Sequence, residues 1–427
     1  MDKCYKITIL QKIYKKRLAY EKNNFYFWII AVMSVSGLLV VSCEKISDDI
    51  SPNDRKKTSH FVSRESAFKK VERFFADRST RADYSLSVED YLFYRCTSDT
   101  RSDVASNACF HVFNFADNSG FAIVAADDRA TDIYAYAMEG HIDFDEAMEH
   151  TGFSVFMDGA AELYRQQVDG GLIGPDSLLE RPPFEEIDQI PDDYRIDTMD
   201  VVTVSQVPEL MLTRWSQNSP YNKYCFTPDG SQAPAGCGPI AIAQIMAYYC
   251  NPSLVLNYII LDWNEILSKA YVDENDIYAD NVGLFIREIG SVADADYGVG
   301  GTSTFTSKIK PSFEYFGYEC DDKQNLDDQL LMSSLDKEHP VFIGGWPAEG
   351  AGHFWVIDGY VHQTQRLEYY YLYRNLSDPF KCEYINNIYY HCNWGWGGFE
   401  NGYFLSGAFN AYNNRVCMFV NIKPAEL

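Results

Sequence analysis

Between Glu65 and Arg78 the apolar positions fall three and four residues apart. In ESAFKKVERFFADR they are Ala67, Phe68, Val71, Phe74 and Phe75, one stripe of an amphipathic helix. Further along the spacing changes. ACFHVFNFA and GFAIVAAD are apolar runs of strand length. Asp117-Asn118-Ser119-Gly120 lies between them, and these residue types favour turns, so a hairpin is predicted. TGFSVFMDGAAELYRQQV, from Thr151, returns to helical spacing. Together these elements predict a compact α+β unit of about 120 residues, a normal domain size.

The stretch GGLIGPDSLLERPPFEEIDQIPDDYRIDTMD, residues 170–200, has no sustained period and is rich in Gly, Pro and acids. It reads as an exposed linker of the kind proteases cut. A second domain starts near Val204. It opens with helix and loop signals and closes with short aromatic strands, EYYYLYR, NIYYHCNW and GYFLSG. No internal repeat or low-complexity tract interrupts it. The expected organisation is a signal segment over 1–42, a tether and small domain with linker over 43–200, and a larger domain over 201–427.

The N-terminal segment carries a basic region followed by FYFWIIAVMSVSGLLVVSC, the layout of a secretory signal. Its end, Val40-Val41-Ser42-Cys43, resembles a bacterial lipobox, which makes Cys43 the lipidated first residue of an exported, outer-membrane lipoprotein. An ordinary signal peptide or an uncleaved anchor fits the same pattern. Residues 44–60 are polar and read as a tether.

Composition narrows the function. With 46% hydrophobic and 15% aromatic residues the chain has a large core to bury. A formal charge of -25 repels phosphate backbones, so nucleic acid is not an expected partner. The eleven cysteines form no CxxC pair and no zinc-ligand spacing with histidine. No metal or other cofactor is expected. The cysteines are scattered singly and do not read as a disulfide framework, although pairing stays open for an exported chain.

Candidate chemistry centres on APAGCGPIAIAQIMAYY. A cysteine nucleophile needs its thiolate favoured, as at a helix N-terminus. Cys237 sits between Gly236 and Gly238, which permit close backbone approach, and Pro239 suits a first helical turn. A plain buried thiol at a helix start fits these residues equally. A base must accompany a nucleophile. His353, in GGWPAEGAGHFWVIDGY, enters a strand from a glycine-rich loop and can face a cleft. His339 reads as a loop residue, and His391 as core or surface. Asn393, in YYHCNWGWGGFENGYF, is a candidate to orient the imidazole, with Trp394 packed over that contact. An oxyanion hole would use the Cys237 N–H and the side-chain amide of Gln217 in RWSQNSPYN.

The ordered set WSQNSPYN, GCGPIAIAQIMAYY, GHFWVIDGY and NWGWGG resembles streptopain and its relatives, the C10 cysteine peptidases. The resemblance covers residues 205–427 and extends upstream, where GFAIVAADDRATDIYAYAMEGHIDFD resembles the family's inhibitory propeptide. It implies an α+β, papain-like two-lobed cysteine protease domain preceded by a small α+β propeptide domain. It implies Cys237 as nucleophile, His353 as general base and then acid, Asn393 and Trp394 as its supports, and Gln217 in the oxyanion hole. It places Ser303, in DYGVGGTSTFTS, and Gly352 at substrate-contacting positions. The expected partners are protein or peptide substrates, the chain's own propeptide, and a membrane through lipid on Cys43. An activating cut is expected between about 195 and 210. HQTQRLEYYYLYRNLSDPFKCEYINN, between His353 and Asn393, is an insertion relative to streptopain. An acyltransferase on the same fold and a non-catalytic peptide-binding surface lipoprotein are the rival readings.

Overall fold

The structure is a computed structural model that describes residues 60–76, 86–95, 108–148, 151–170, 194–256, 258–347, 350–371, 378–411 and 415–426. The signal segment, Cys43 and most of the expected linker lie outside the described residues. Among the described residues no helix is long and apolar enough to cross a membrane.

Helix α1, Arg64–Ala76, forms where the apolar stripe predicts it. It buries Ala67, Val71 and Phe75, with Phe68 and Phe74 packed against the same core. Four antiparallel strands follow: β1 (Val88–Arg95), β2 (Ala108–Phe115), β3 (Phe121–Ala125) and β4 (Ile133–Ala137). The turn between β2 and β3 is the predicted one. Asp117 (φ 59°), Asn118 (57°) and Gly120 (108°) all take left-handed backbone, which their residue types tolerate. Helix α2, Thr151–Gly170, completes the first region. Cys109 is disulfide-bonded, with its partner outside the described residues. The scattered cysteines therefore include at least one bridge, which their spacing did not reveal.

The later elements are β5 (Tyr194–Val207), α3 (Cys237–Tyr248), α4 (Ala279–Val292), β6 (Val341–Gly345), β7 (His353–Tyr371), β8 (Lys381–Asn393), β9 (Gly402–Leu405), α5 (Ser406–Asn410) and β10 (Val416–Phe419). The main sheet runs β1-β2-β3-β4-β9-β8-β7-β6-β10 and ends on the short strand Gln324–Asn325, with β5 added beside β7. The small α+β unit expected upstream is thus not a sheet of its own. It joins the downstream sheet where Tyr136 pairs with Tyr403 and Ala135 with Phe404.

Strand alternation divides the downstream core in two. Phe342, Phe354, Val356, Cys417 and Phe419 face one cluster, shared with α3 and α4. Val341, Ile343, Trp355, Ile357, Val416 and Met418 face the other, shared with α1, α2 and the upstream strands. There Phe156 of α2 packs on Phe404 (ring centroids 4.8 Å) and Phe409 (5.5 Å). Each such fully buried side chain contributes about 1.5–3 kcal/mol, so upstream and downstream regions share substantial burial.

The expected linker is also corrected. From Tyr194 the chain is strand, not exposed loop, and β5 pairs antiparallel with β7 from Val207 opposite Tyr360 to Tyr194 opposite Tyr371. The segment expected to be an insertion, 362–387, supplies most of its partner. β7 and β8 form a long hairpin, paired from Val356–Asn393 out to Tyr369–Lys381.

Candidate active site

Cys237 is the first residue of α3, after Gly236 at φ 94°. The helix is apolar nearly all round and is buried from Gly238 to Ala247, which fixes its N-terminus in the protein while Cys237 stays partly accessible. The flanking glycines admit the loop beside them. A Cβ on Gly236 would lie 2.9 Å from Thr302 Cγ2, and one on Gly238 would lie 3.2 Å from Thr304 Oγ1. Burial pushes the Cys237 thiol up, against backbone N–H groups of Phe354, Gly238 and Cys237 itself that favour its thiolate.

Three other predicted positions lie on segments that bond to or pack beside the loop and strand next to Cys237. Gln217 is buried, and its carbonyl accepts from Ala235 N–H at 2.8 Å, two residues before Cys237. Ser303 is exposed on the short strand Gly301–Ser303, which Thr302 Oγ1 ties to the Pro234 carbonyl at 2.6 Å. Gly352 lies so close to the Trp346 indole that a Cβ there would collide with it, and Trp346 packs edge-on against Phe354 (5.9 Å).

His353 and Asn393 occupy opposite faces of the sheet. Asn393 stands opposite Val356, on the α3 side. Its Nδ2 donates to the Thr213 carbonyl at 2.7 Å, and its amide exchanges two 3.2 Å hydrogen bonds with Gln244. His353 shares the face of Trp355, and the two rings are near-parallel at 6.2 Å. It is 2% exposed, and its Nε2 meets the Trp394 carbonyl at 2.8 Å. The expected contact, an Asn393 amide orienting His353 beneath the Trp394 indole, is therefore not the one present. The period-two alternation of β7 places the imidazole on the far side. The Trp394 indole instead fills the aromatic core, 5.1 Å from both Trp355 and Phe404, with Nε1 donating to the Glu400 carbonyl.

Three residues were missed. Gln244 is fully buried and also accepts from Trp215 N–H at 3.2 Å. A lone glutamine inside IAIAQIMAYY was the available signal. Trp396, the second tryptophan of NWGWGG, stacks on His353 at 5.5 Å and 9°. Gly152, in the first turn of α2, lies directly over the imidazole. A Cβ there would fall 2.6 Å from His353 Cδ2 and 2.6 Å from Trp394 Cε3. No local pattern announces that contact.

A second polar group lies beyond Asn393. His391 Nδ1 meets the fully buried Asp358 Oδ1 at 2.6 Å, and Nε2 lies 3.3 Å from Glu209. Burial disfavours the imidazolium, but the Asp358 and Glu209 carboxylates outweigh it and hold the His391 pKa above its ordinary value. Arg214 and Glu139 form an ion pair between the downstream and upstream regions, at a cavity of about 320 Å³ that His141 and His391 also line.

Comparison with known proteins fits this arrangement. Residues 215–404 match the model of the peptidase C10 family, and residues 59–163 match that of the Spi protease inhibitor. The chain carries a C10 peptidase domain behind a Spi-type inhibitor domain. The C10 chain is 24% identical over 368 residues to streptopain of Streptococcus pyogenes, covering 75% of this chain and 82% of that one. It is 25% identical over 381 residues to the thiol protease/hemagglutinin PrtT of Porphyromonas gingivalis, covering 82% of this chain but spanning only 39% of that relative. A prointerpain A fragment of Prevotella intermedia shares the fold at TM-score 0.52 and 20% identity, over 75% of this chain and 96% of that one.

Proposed function

We propose that this chain is the latent precursor of an exported cysteine endopeptidase. Cys237 is its nucleophile and His353 its base. The observation that carries this reading is the pairing of a cysteine at a helix N-terminus, its sulfur facing backbone N–H groups, with a histidine held beneath a propeptide helix. In the working enzyme the His353 imidazolium stabilises the Cys237 thiolate. The thiolate attacks a peptide carbonyl, and the Cys237 N–H and Gln217 amide receive the oxyanion. His353 then protonates the leaving amine, and water hydrolyses the acyl-enzyme. Asn393 and its partner Gln244 stand ready on the α3 side, and Ser303 and Gly352 border the substrate cleft.

Latency follows from the same geometry. His353 is the first residue of β7, so a rearrangement of the loop before it suffices to turn the imidazole to the other face. Gly152 and the Trp394 carbonyl oppose that turn while the propeptide is docked. Removal of residues upstream of the catalytic region releases it. A signal segment and lipid on Cys43 would deliver the precursor to the outer membrane, and the Cys109 disulfide suits an oxidising compartment.

The test is to purify residues 44–427 beside a Cys237→Ala variant and to follow chain mass and casein cleavage. Wild type is expected to shorten and to cleave casein, while the variant does neither. Absence of casein cleavage after an added protease has removed the propeptide would overturn the reading.

A further inference from the structure

The junction between the two regions carries more order than a disposable linker needs. From Tyr194 to Val207 β5 is paired with β7, with register shifts at Val204 and at Met199–Asp200. The outer half of that partner belongs to the inserted hairpin, with Thr364, Gln365, Leu367 and Glu368 opposite β5 residues on one edge and opposite β8 residues on the other. Gln365 Nε2 adds a bond to the Met199 carbonyl at 3.1 Å. The exit from β5 is held as well. Leu210 N–H donates to the Asp358 carbonyl and Met211 N–H to its carboxylate, both at 2.9 Å. Glu209 reaches His391. Gly359 lets the chain pass this closely, since a Cβ there would sit 2.9 Å from the Val207 carbonyl. By contrast, among the described residues the propeptide sheet pairs with the catalytic sheet at two residue pairs, between β4 and β9.

We propose that β5 is a permanent strand of the catalytic half, received by the inserted hairpin, and that the activating cut falls before Tyr194. This rests on the precursor reading above but extends it. A protease reads its substrate as a free extended chain, and β5 reaches that form only by leaving the hairpin. The insertion then acts as an internal receptor that decides where the mature chain begins. The strand stays attached after the propeptide has gone.

The experiment uses the Cys237→Ala chain, so that its result does not depend on whether the protein is itself a protease. Residues 44–427 are exposed to a trace of subtilisin, and fragments are timed by mass spectrometry. Cuts within 195–207 are expected to appear at least about tenfold more slowly than cuts before Tyr194, because they require local opening of the ladder. A C-terminal fragment that includes β5 should accumulate. Val202→Pro, a change within β5, should remove that protection by disrupting the pairing. Shortening the hairpin by replacing residues 364–385 with a tight turn should do the same. The proposal fails if the unaltered chain is cut within 195–207 as fast as before Tyr194, or if neither variant changes the pattern. It also fails if self-processed wild type begins after Val207.

Discussion

The two faces of the central sheet hold the proposed nucleophile and the proposed base in different surroundings. On the α3 face Cys237 sits at its helix terminus, with Gln217 tied to the loop before it and Asn393 bonded to Gln244 and Thr213. On the propeptide face His353 is buried between Trp396 and Gly152 and bonded to the Trp394 carbonyl. On the proposed reading, the contrast gives latency without dismantling the nucleophile. Placing one side chain across a sheet would separate charges that otherwise stabilise each other, and burial pushes the Cys237 thiol up.

The largest effect breaks the contrast from its working side. Cys237→Ala and His353→Ala in the processed enzyme should each lower kcat/KM by at least about 10³-fold, measured on a fluorogenic peptide. Changes in KM alone would contradict the assignment. Next comes the state of the thiol. Alkylation of Cys237 by iodoacetamide should be at least about tenfold slower in the precursor than in the processed enzyme, because one pKa unit changes the thiolate fraction tenfold. Equal rates would show that the two faces are not in different states. Gly152→Val attacks the stowed side. Overpacking against His353 and Trp394 should weaken propeptide docking by about 1–3 kcal/mol and raise the reactivity of Cys237 in the uncut precursor.

The remaining two tests sharpen the picture. The folded pKa of His391 is raised, so the stability its charge contributes is fully present below its unfolded value, about 6.5. That contribution is lost as pH rises through the folded pKa. The Tm of the processed enzyme should therefore fall as pH rises above about 6.5, and His391→Gln should flatten that part of the profile. The smallest effect belongs to Arg214→Ala. Its ion pair with Glu139 is partly exposed, and its loss should cost about 0–1 kcal/mol of propeptide affinity.

What was legible in the sequence was local. The stripe in α1, the left-handed turn after β2, and the Gly-Cys-Gly-Pro start of α3 all depend on near neighbours, and all formed as read. The segments that carry Gln217 and Ser303 are bonded to the loop before Cys237. What escaped was set by distant pairing. Whether His353 faces α3 or α2 depends on the seating of one strand end, and alternation alone fits both. The fate of residues 194–200 depended on a hairpin more than 150 positions later. Composition marked that stretch as linker because it continues the acid- and proline-rich run before it.

The joint between β4 and β9 links Tyr136 to Tyr403, 267 positions apart. Such a separation makes folding slow, because the loop must close before the contact rewards it. The aromatic face of α2 stays uncovered until residues 402–410 have been made and folded back. Until then the propeptide has no finished partner and the catalytic half has no finished sheet. The segment that completes the catalytic sheet is also the one on which α2 packs.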